Sequence, residues 1–361
     1  DFGGLHTSVH WQGERRLKEL LGFQGGEEII YDPMQQIVRP DPRLIERFHG
    51  DALSFLPDAG PDWKLEIDPA TDTYVDEWGA RYRRPPDGFW YDYDDAPLKN
   101  ASLEELMRYK YPDASHPHRV KRLKEEVKWT YENTDKAILI HCPSGGLFEH
   151  SWVLRGLDNI LADLAMDHKF AEAMAERNLT EWLMPLWENV LGAVGDYVQV
   201  VQIGDDLGSQ FSTLISPETY RKIYKPRHRR LTEFNRSKSD ARIYFHSCGS
   251  VYDIIGDFIE AGIEVLNPLQ VSAKNMDSAK VKREFGKDMA FWGGGADPQT
   301  IMARGTPEQV REEVKRRIHD LAPGGGWVCA SVHNIQANVP PENIVAFFDA
   351  AWEYGAYPIS V

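Results

Sequence analysis

From about residue 135 onward, apolar positions fall into short unbroken runs separated by longer stretches of helical period. Ala137–His141 (AILIH) is such a run, and Val153–Ala175 after it reads as helical. Tyr197–Ile203 (YVQVVQI) is rich in β-branched residues and is followed by a helical stretch at Pro217–Phe234. Arg242–Phe245 (RIYF) leads through HSCGS into a helix over Val251–Ala261. Ile263–Leu266, Met289–Trp292 and Trp327–Ala330 are further short runs, with helices at Pro307–Leu321 and Pro341–Tyr354. Buried strands of four to seven residues alternating with amphipathic helices predict βα units and a parallel sheet. Six strands after residue 135, with room for two before it, predict a closed (β/α)8 TIM barrel in a single domain over residues 1–361. In that fold the chemistry sits at the C-terminal ends of the strands.

The stretch from about 58 to 97 breaks this rhythm. Trp63–Ile67, Trp78–Arg84 and Phe89–Tyr93 are short, aromatic and strand-like, and PP, DG and DP turn signals punctuate them. They predict an irregular N-terminal β-rich elaboration. Its eight aromatic rings, from Trp63 to Tyr93, either wall a pocket or pack the hairpins against the barrel.

The 361 residues are 42% hydrophobic, enough for a large core without disulfide staples. Charge narrows the partners: 41 Lys+Arg against 56 Asp+Glu gives −15, which repels nucleic acid and anionic membranes. A local basic patch such as YKPRHRR over 224–230 is suited to an anionic cofactor or a partner protein. No apolar run approaches the roughly 20 residues that cross a bilayer. Three cysteines, an odd number, fit a reducing cytoplasm where thiols serve metals or catalysis.

Strand ends carry the chemistry. His246 and Cys248 directly follow RIYF, and Cys329 ends the run GWVCA. One imidazole and two thiolates converging over a barrel mouth make a three-ligand zinc site with an open fourth position. From spacing alone the alternative is three buried side chains. Cys142 and His141 read as an inert thiol and a core histidine. Asp205 and Asp206 follow YVQVVQI at the mouth, where a carboxylate binds a cation or proton, or caps the next helix. Glu149 is a candidate fourth ligand or proton donor. His333, four residues after Cys329, is a candidate acid for a leaving oxygen.

Several segments recur in order as a known pattern: DFGG, GGLFEHSWVLRGLDNILADLA, IGDDLGSQFSTLISPETYRKIYKPRHRRL, FHSCGS, GIEVLNPLQ, FWGGGADPQTIMARGTPEQV and GGGWVCASVHNIQANVPPENI. Together they resemble the uroporphyrinogen decarboxylase superfamily, and within it the corrinoid-dependent methyltransferases. The resemblance implies a (β/α)8 barrel, and it maps the zinc ligands of the methylcobamide:thiol branch onto His246, Cys248 and Cys329. An arginine-rich RQAGR-like motif of the decarboxylase branch is missing, which argues against porphyrinogen decarboxylation.

The implied reaction is methyl transfer between a small substrate and cobalamin. No D-x-H-x-x-G corrinoid motif occurs, so the cobalamin is expected on a separate corrinoid protein docking over the mouth. GxGxxG, P-loop and HExxH patterns are also missing. Zinc serves either to activate a thiol acceptor or to polarise an ether donor. Aromatic walls favour a methoxylated aromatic donor, then a betaine or other methylamine held by cation–π contact, then a thiol. From other classes, a decarboxylase-like lyase would need a cationic pocket, and a non-catalytic binding barrel would need no metal.

Overall fold

A computed structural model describes residues 1–359. Twelve strands are formed: β1 (Ile30–Asp32), β2 (Ile37–Val38), β3 (Ala52–Phe55), β4 (Thr73–Val75), β5 (Arg81–Arg83), β6 (Asp92–Asp95), β7 (Ala137–His141), β8 (Val200–Gly204), β9 (Arg242–His246), β10 (Val265–Asn267), β11 (Ala290–Trp292) and β12 (Trp327–Val328). Seven of them make one curved parallel sheet in the order β12-β11-β10-β9-β8-β7-β3. Its strands are apolar on both faces because one face meets the outer helices and the other fills the barrel interior. Ala52, Leu139, Val200, Tyr244, Val265 and Trp292, one from each of six strands, pack together in that interior.

Among the described residues the expected eighth strand is not formed, and Asp1–Gly3 lie at its place. The Asp1 backbone nitrogen donates to the Cys329 carbonyl at 2.5 Å. On the other side Gly3 lies so close to β3 that a Cβ there would sit 2.0 Å from the Ala52 carbonyl oxygen. The segment therefore spans the gap between β12 and β3, and only glycine fits at position 3.

Helices cover the outside. Pro307–Leu321 begins with a capping box between Thr306 and Gln309 and packs Val310, Val314 and Ile318 against Ile344 and Phe347 of Pro341–Tyr354. The helix expected over 153–175 is three pieces, Phe148–Arg155, Leu157–Met166 and Lys169–Arg177. Gly156 ends the first with φ +88°, which a side chain resists.

Strands β4, β5 and β6 form a separate antiparallel sheet within the 58–97 stretch. Tyr82 pairs with Tyr74 on one side and Tyr93 on the other, and the Tyr74 and Tyr82 rings stack at 4.8 Å. The opposite face carries Arg81 and Arg83, both bonded to Asp94. This is the period-two alternation of a sheet with one packed face. Trp63–Ile67, expected as a strand, is irregular. Among the described residues no helix is long and apolar enough to cross a membrane.

Candidate functional site

β9 delivers His246 to the barrel mouth, and β10 pairs in a register that puts Asn267 opposite it. Asn267 donates its side-chain amide to the Trp292 carbonyl at 3.0 Å, so its oxygen must face His246. That oxygen lies 2.6 Å from His246 Nδ1, which therefore carries the proton and leaves the Nε2 lone pair free. His333 is built the same way. Its Nδ1 meets Asn334 Oδ1 at 2.9 Å, while the Asn334 amide donates to the Gln35 side chain. Two imidazoles are thus fixed in the tautomer that presents Nε2.

Cys248 Sγ lies 3.5 Å from His246 Nε2. Zinc–nitrogen and zinc–sulfur bonds of about 2.05 and 2.3 Å at the tetrahedral angle put their donors about 3.6 Å apart, so this pair already has the spacing of two zinc ligands. Donor atoms of His6, His246 and His333 lie within 4.8 Å of one another, and so do those of Asp206, His246 and Cys248. His6 lies flat over His246 with ring centroids 3.8 Å apart, and its Nδ1 is buried without a partner. Burial, then Asp206 and Glu149, hold the Cys248 thiol well above its ordinary range. A thiolate there needs a cation beside it, which is what a bound zinc supplies. The donor set and spacing fit zinc.

Cys329 stands outside both groups. Ala330 joins the interior layer, so by strand alternation Cys329 faces the outer core around Phe2 and Val9. Burial pushes its thiol up to about 11. The chain turns into the mouth four residues later, at His333.

Asp205 and Asp206 also part ways. Asp205 is fully buried and accepts the amides of Leu147, Phe148 and Glu149 at 2.7–2.9 Å, with His228 Nε2 at 2.8 Å. It caps the helix Phe148–Arg155, which precedes it in sequence, and does not reach the cavity. Asp206 points into the mouth and accepts the Cys248 amide at 2.8 Å. Glu149, in the first turn of the capped helix, lines the same space. Burial first, then Asp206 and Asp205, push its carboxyl well above the ordinary range. Burial and His246 bring His333 down to about 4.

A cavity of about 730 Å³ opens above these groups. Trp63, Tyr74, Trp78, Tyr82 and Tyr93 of the elaboration line it, whereas Phe89, Trp90 and Tyr91 do not. Asp32, Cys142 and His150 line it as well. The basic segment 224–230 is neutralised: Lys225 bonds Asp257, and Arg227 and Arg230 bond Glu176. Sequence reasoning passed over His6, Asn267 and Asn334, although Asn267 and Asn334 sit inside recurring segments and Asn267 ends the apolar strand β10.

Residues 90–354 match the family model described as uroporphyrinogen decarboxylase (URO-D). A uroporphyrinogen decarboxylase of Pseudoalteromonas translucida is 39% identical over 75 residues, 21% of this chain and 20% of that protein. A methylated-thiol–coenzyme M methyltransferase of Methanosarcina mazei is 28% identical over 148 residues, 40% of this chain and 36% of that protein. The aligned segments thus span well under half the length of these relatives. A solved methyltransferase from Methanosarcina mazei superposes with a TM-score of 0.65 at 17% identity, covering 98% of this chain and 94% of that one, and so shares the fold.

Proposed function

The chain belongs to the uroporphyrinogen decarboxylase (URO-D) family, and from that premise we propose that it is a zinc-dependent methyltransferase. It moves a methyl group between a small substrate, with a methoxylated aromatic favoured, and the cobalamin of a separate corrinoid protein. The observation that carries this reading is the pair of asparagine-oriented imidazoles beside Cys248 on the floor of an aromatic cavity. His246 and Cys248 would hold the metal together with Asp206, whose donor atoms lie within 4.8 Å of theirs, and His333 and His6 group about the same His246 imidazole. Zinc there would act as Lewis acid on a substrate oxygen.

The chain's own residues cover the rest of the chemistry. Tyrosine and tryptophan rings take the flat face of an arene and exclude water from the floor. Reduced cobalamin, when bound, would supply the nucleophile for the methyl carbon, with the C–O electron pair passing to the phenolate oxygen that leaves. Glu149, whose carboxyl burial shifts towards the protonated form, would deliver the proton that this oxygen requires. Thiol methylation is the second reading, favoured by the similarity to the methylated-thiol–coenzyme M methyltransferase of Methanosarcina mazei. A lyase acting on a polycarboxylate has no support in the cavity, because Arg39 and Arg122, its lining arginines, are both committed to Glu126.

The test is bound metal together with turnover. Protein purified without added metal should carry about one zinc per chain, lost in Cys248→Ser, and should demethylate a methoxyarene with cob(I)alamin as acceptor. Absence of zinc even after anaerobic reconstitution would sink the mechanism.

A further inference from the structure

The charge inside the cavity is one-sided. Of its lining carboxylates, Asp58, Glu77 and Glu126 are paired with Arg122, Arg119 and Arg39. Asp32, Asp76, Glu149 and Asp206 have no lysine or arginine partner among the described residues. No lining lysine or arginine is left over to balance them. Burial registers this imbalance: it lifts the Asp76 carboxyl to about 6 and raises Asp32.

Aromatic groups occupy the same space. Tyr74 lies in the field of Asp32 and Asp76, and Tyr93 in that of Glu149, Asp206 and Asp32. His150 adds an independent sign of a missing ligand. It is 2% exposed, it lines the cavity, and its Nε2 has no hydrogen-bond partner. Burial pushes its imidazole down to about 3, so it is neutral and can accept an N–H once its other nitrogen carries the proton.

We infer that the cavity recognises an ammonium group carried by the methyl donor, seated against the tyrosine and tryptophan rings and balanced by Asp32 and Asp76. Ring faces attract such a cation, unpaired carboxylates replace its lost hydration, and a neutral imidazole takes one of its N–H bonds. The same field turns away donors and thiols that bear a carboxylate or sulfonate. This rests on the proposed methyl transfer and names its substrate class as cationic. Glu149 and Asp206 sit nearer the metal-binding side chains, so Asp32 and Asp76 are the pair to test.

Three para-substituted methoxyarenes of nearly one shape separate charge from fit: 4-methoxybenzylamine, 4-methoxybenzyl alcohol and 4-methoxybenzoate. Titrated calorimetrically into the full chain at neutral pH, the amine should bind roughly thirtyfold tighter than the benzoate, with the alcohol between. In Asp32→Asn/Asp76→Asn the amine-to-alcohol ratio should collapse towards one while alcohol binding reports that the cavity is intact. Benzoate binding as tightly as amine, or a ratio unchanged in the double variant, overturns the inference. If zinc and turnover of the alcohol are present in that case, the proposed methyltransferase stands without it. If zinc is lacking but the affinity order holds, the cation site stands and the methyltransferase falls.

Discussion

His246 and His333 come from opposite sides of the mouth, yet each commits Nδ1 to an asparagine oxygen and leaves Nε2 for a ligand. That duplication sets these two imidazoles, proposed to bind the metal, apart from a packed one such as His141, whose Nε2 shares a hydrogen bond with Ser54. Of the residues proposed to hold the metal, His246 and Cys248 are readable in the sequence because both lie within two residues of a strand end. For a further ligand the sequence reading takes Cys329, whereas the structure brings His333 within reach of His246. Cys329 and His333 differ by four residues, and only the three-dimensional path shows that β12 stops at Val328 and turns inward later. Cys329→Ser should therefore keep its zinc, whereas His333→Ala should lose most of it. Metal content by mass spectrometry, with cobalt(II) substitution to report the coordination sphere, decides between them. Zinc lost from Cys329→Ser and kept in His333→Ala would restore the thiol as ligand.

Between elements, the adjacent acids at the end of β8 show how one strand serves two purposes. Alternation sends Asp205 to the helix side, where it holds three amides that would otherwise be orphaned, and Asp206 to the cavity. Sequence alone leaves open which is which, since the phase of a short strand is set by its neighbours' register. Asp205→Ala should cost about 3 kcal/mol in urea unfolding, because buried donors lose their acceptor. The effect on zinc content should be small. The elaboration carries its own pH signature at Asp76, which accepts the Trp78 and Ala80 amides and the Tyr82 hydroxyl. Its carboxyl sits near 6 in the folded chain against an ordinary 3.8, chiefly through burial. Folding thus favours the protonated form, and native stability is lost as pH rises from about 4 to 6. Asn at this position keeps the two amide bonds and cannot ionise. Asp76→Asn should gain on the parent over that window, by up to about 3 kcal/mol above pH 6. Parallel stability curves for the two proteins from pH 4 to 7 would refute the assignment.

At the scale of the molecule, the alternation of strands and helices made the barrel legible, while its closure was not. Seven strands curl around the interior, and Asp1–Gly3 lie in the gap between β12 and β3 without forming a strand among the described residues. The same segment continues through the turn Leu5–Thr7, which lays His6 across the face of His246. Barrel closure and the floor proposed to bind the metal are therefore coupled through the stretch from Gly3 to His6. Gly3→Ala tests that coupling with one methyl group. Its Cβ would meet the Ala52 carbonyl oxygen at 2.0 Å, closer than any real contact, so the segment must move away from β3. We expect a loss of about 1–3 kcal/mol, the usual cost of overpacking, seen as a lowered melting temperature. Zinc affinity should fall with it, as His6 no longer braces His246. A melting temperature equal to that of the parent would mean that the segment lies against the sheet without closing it.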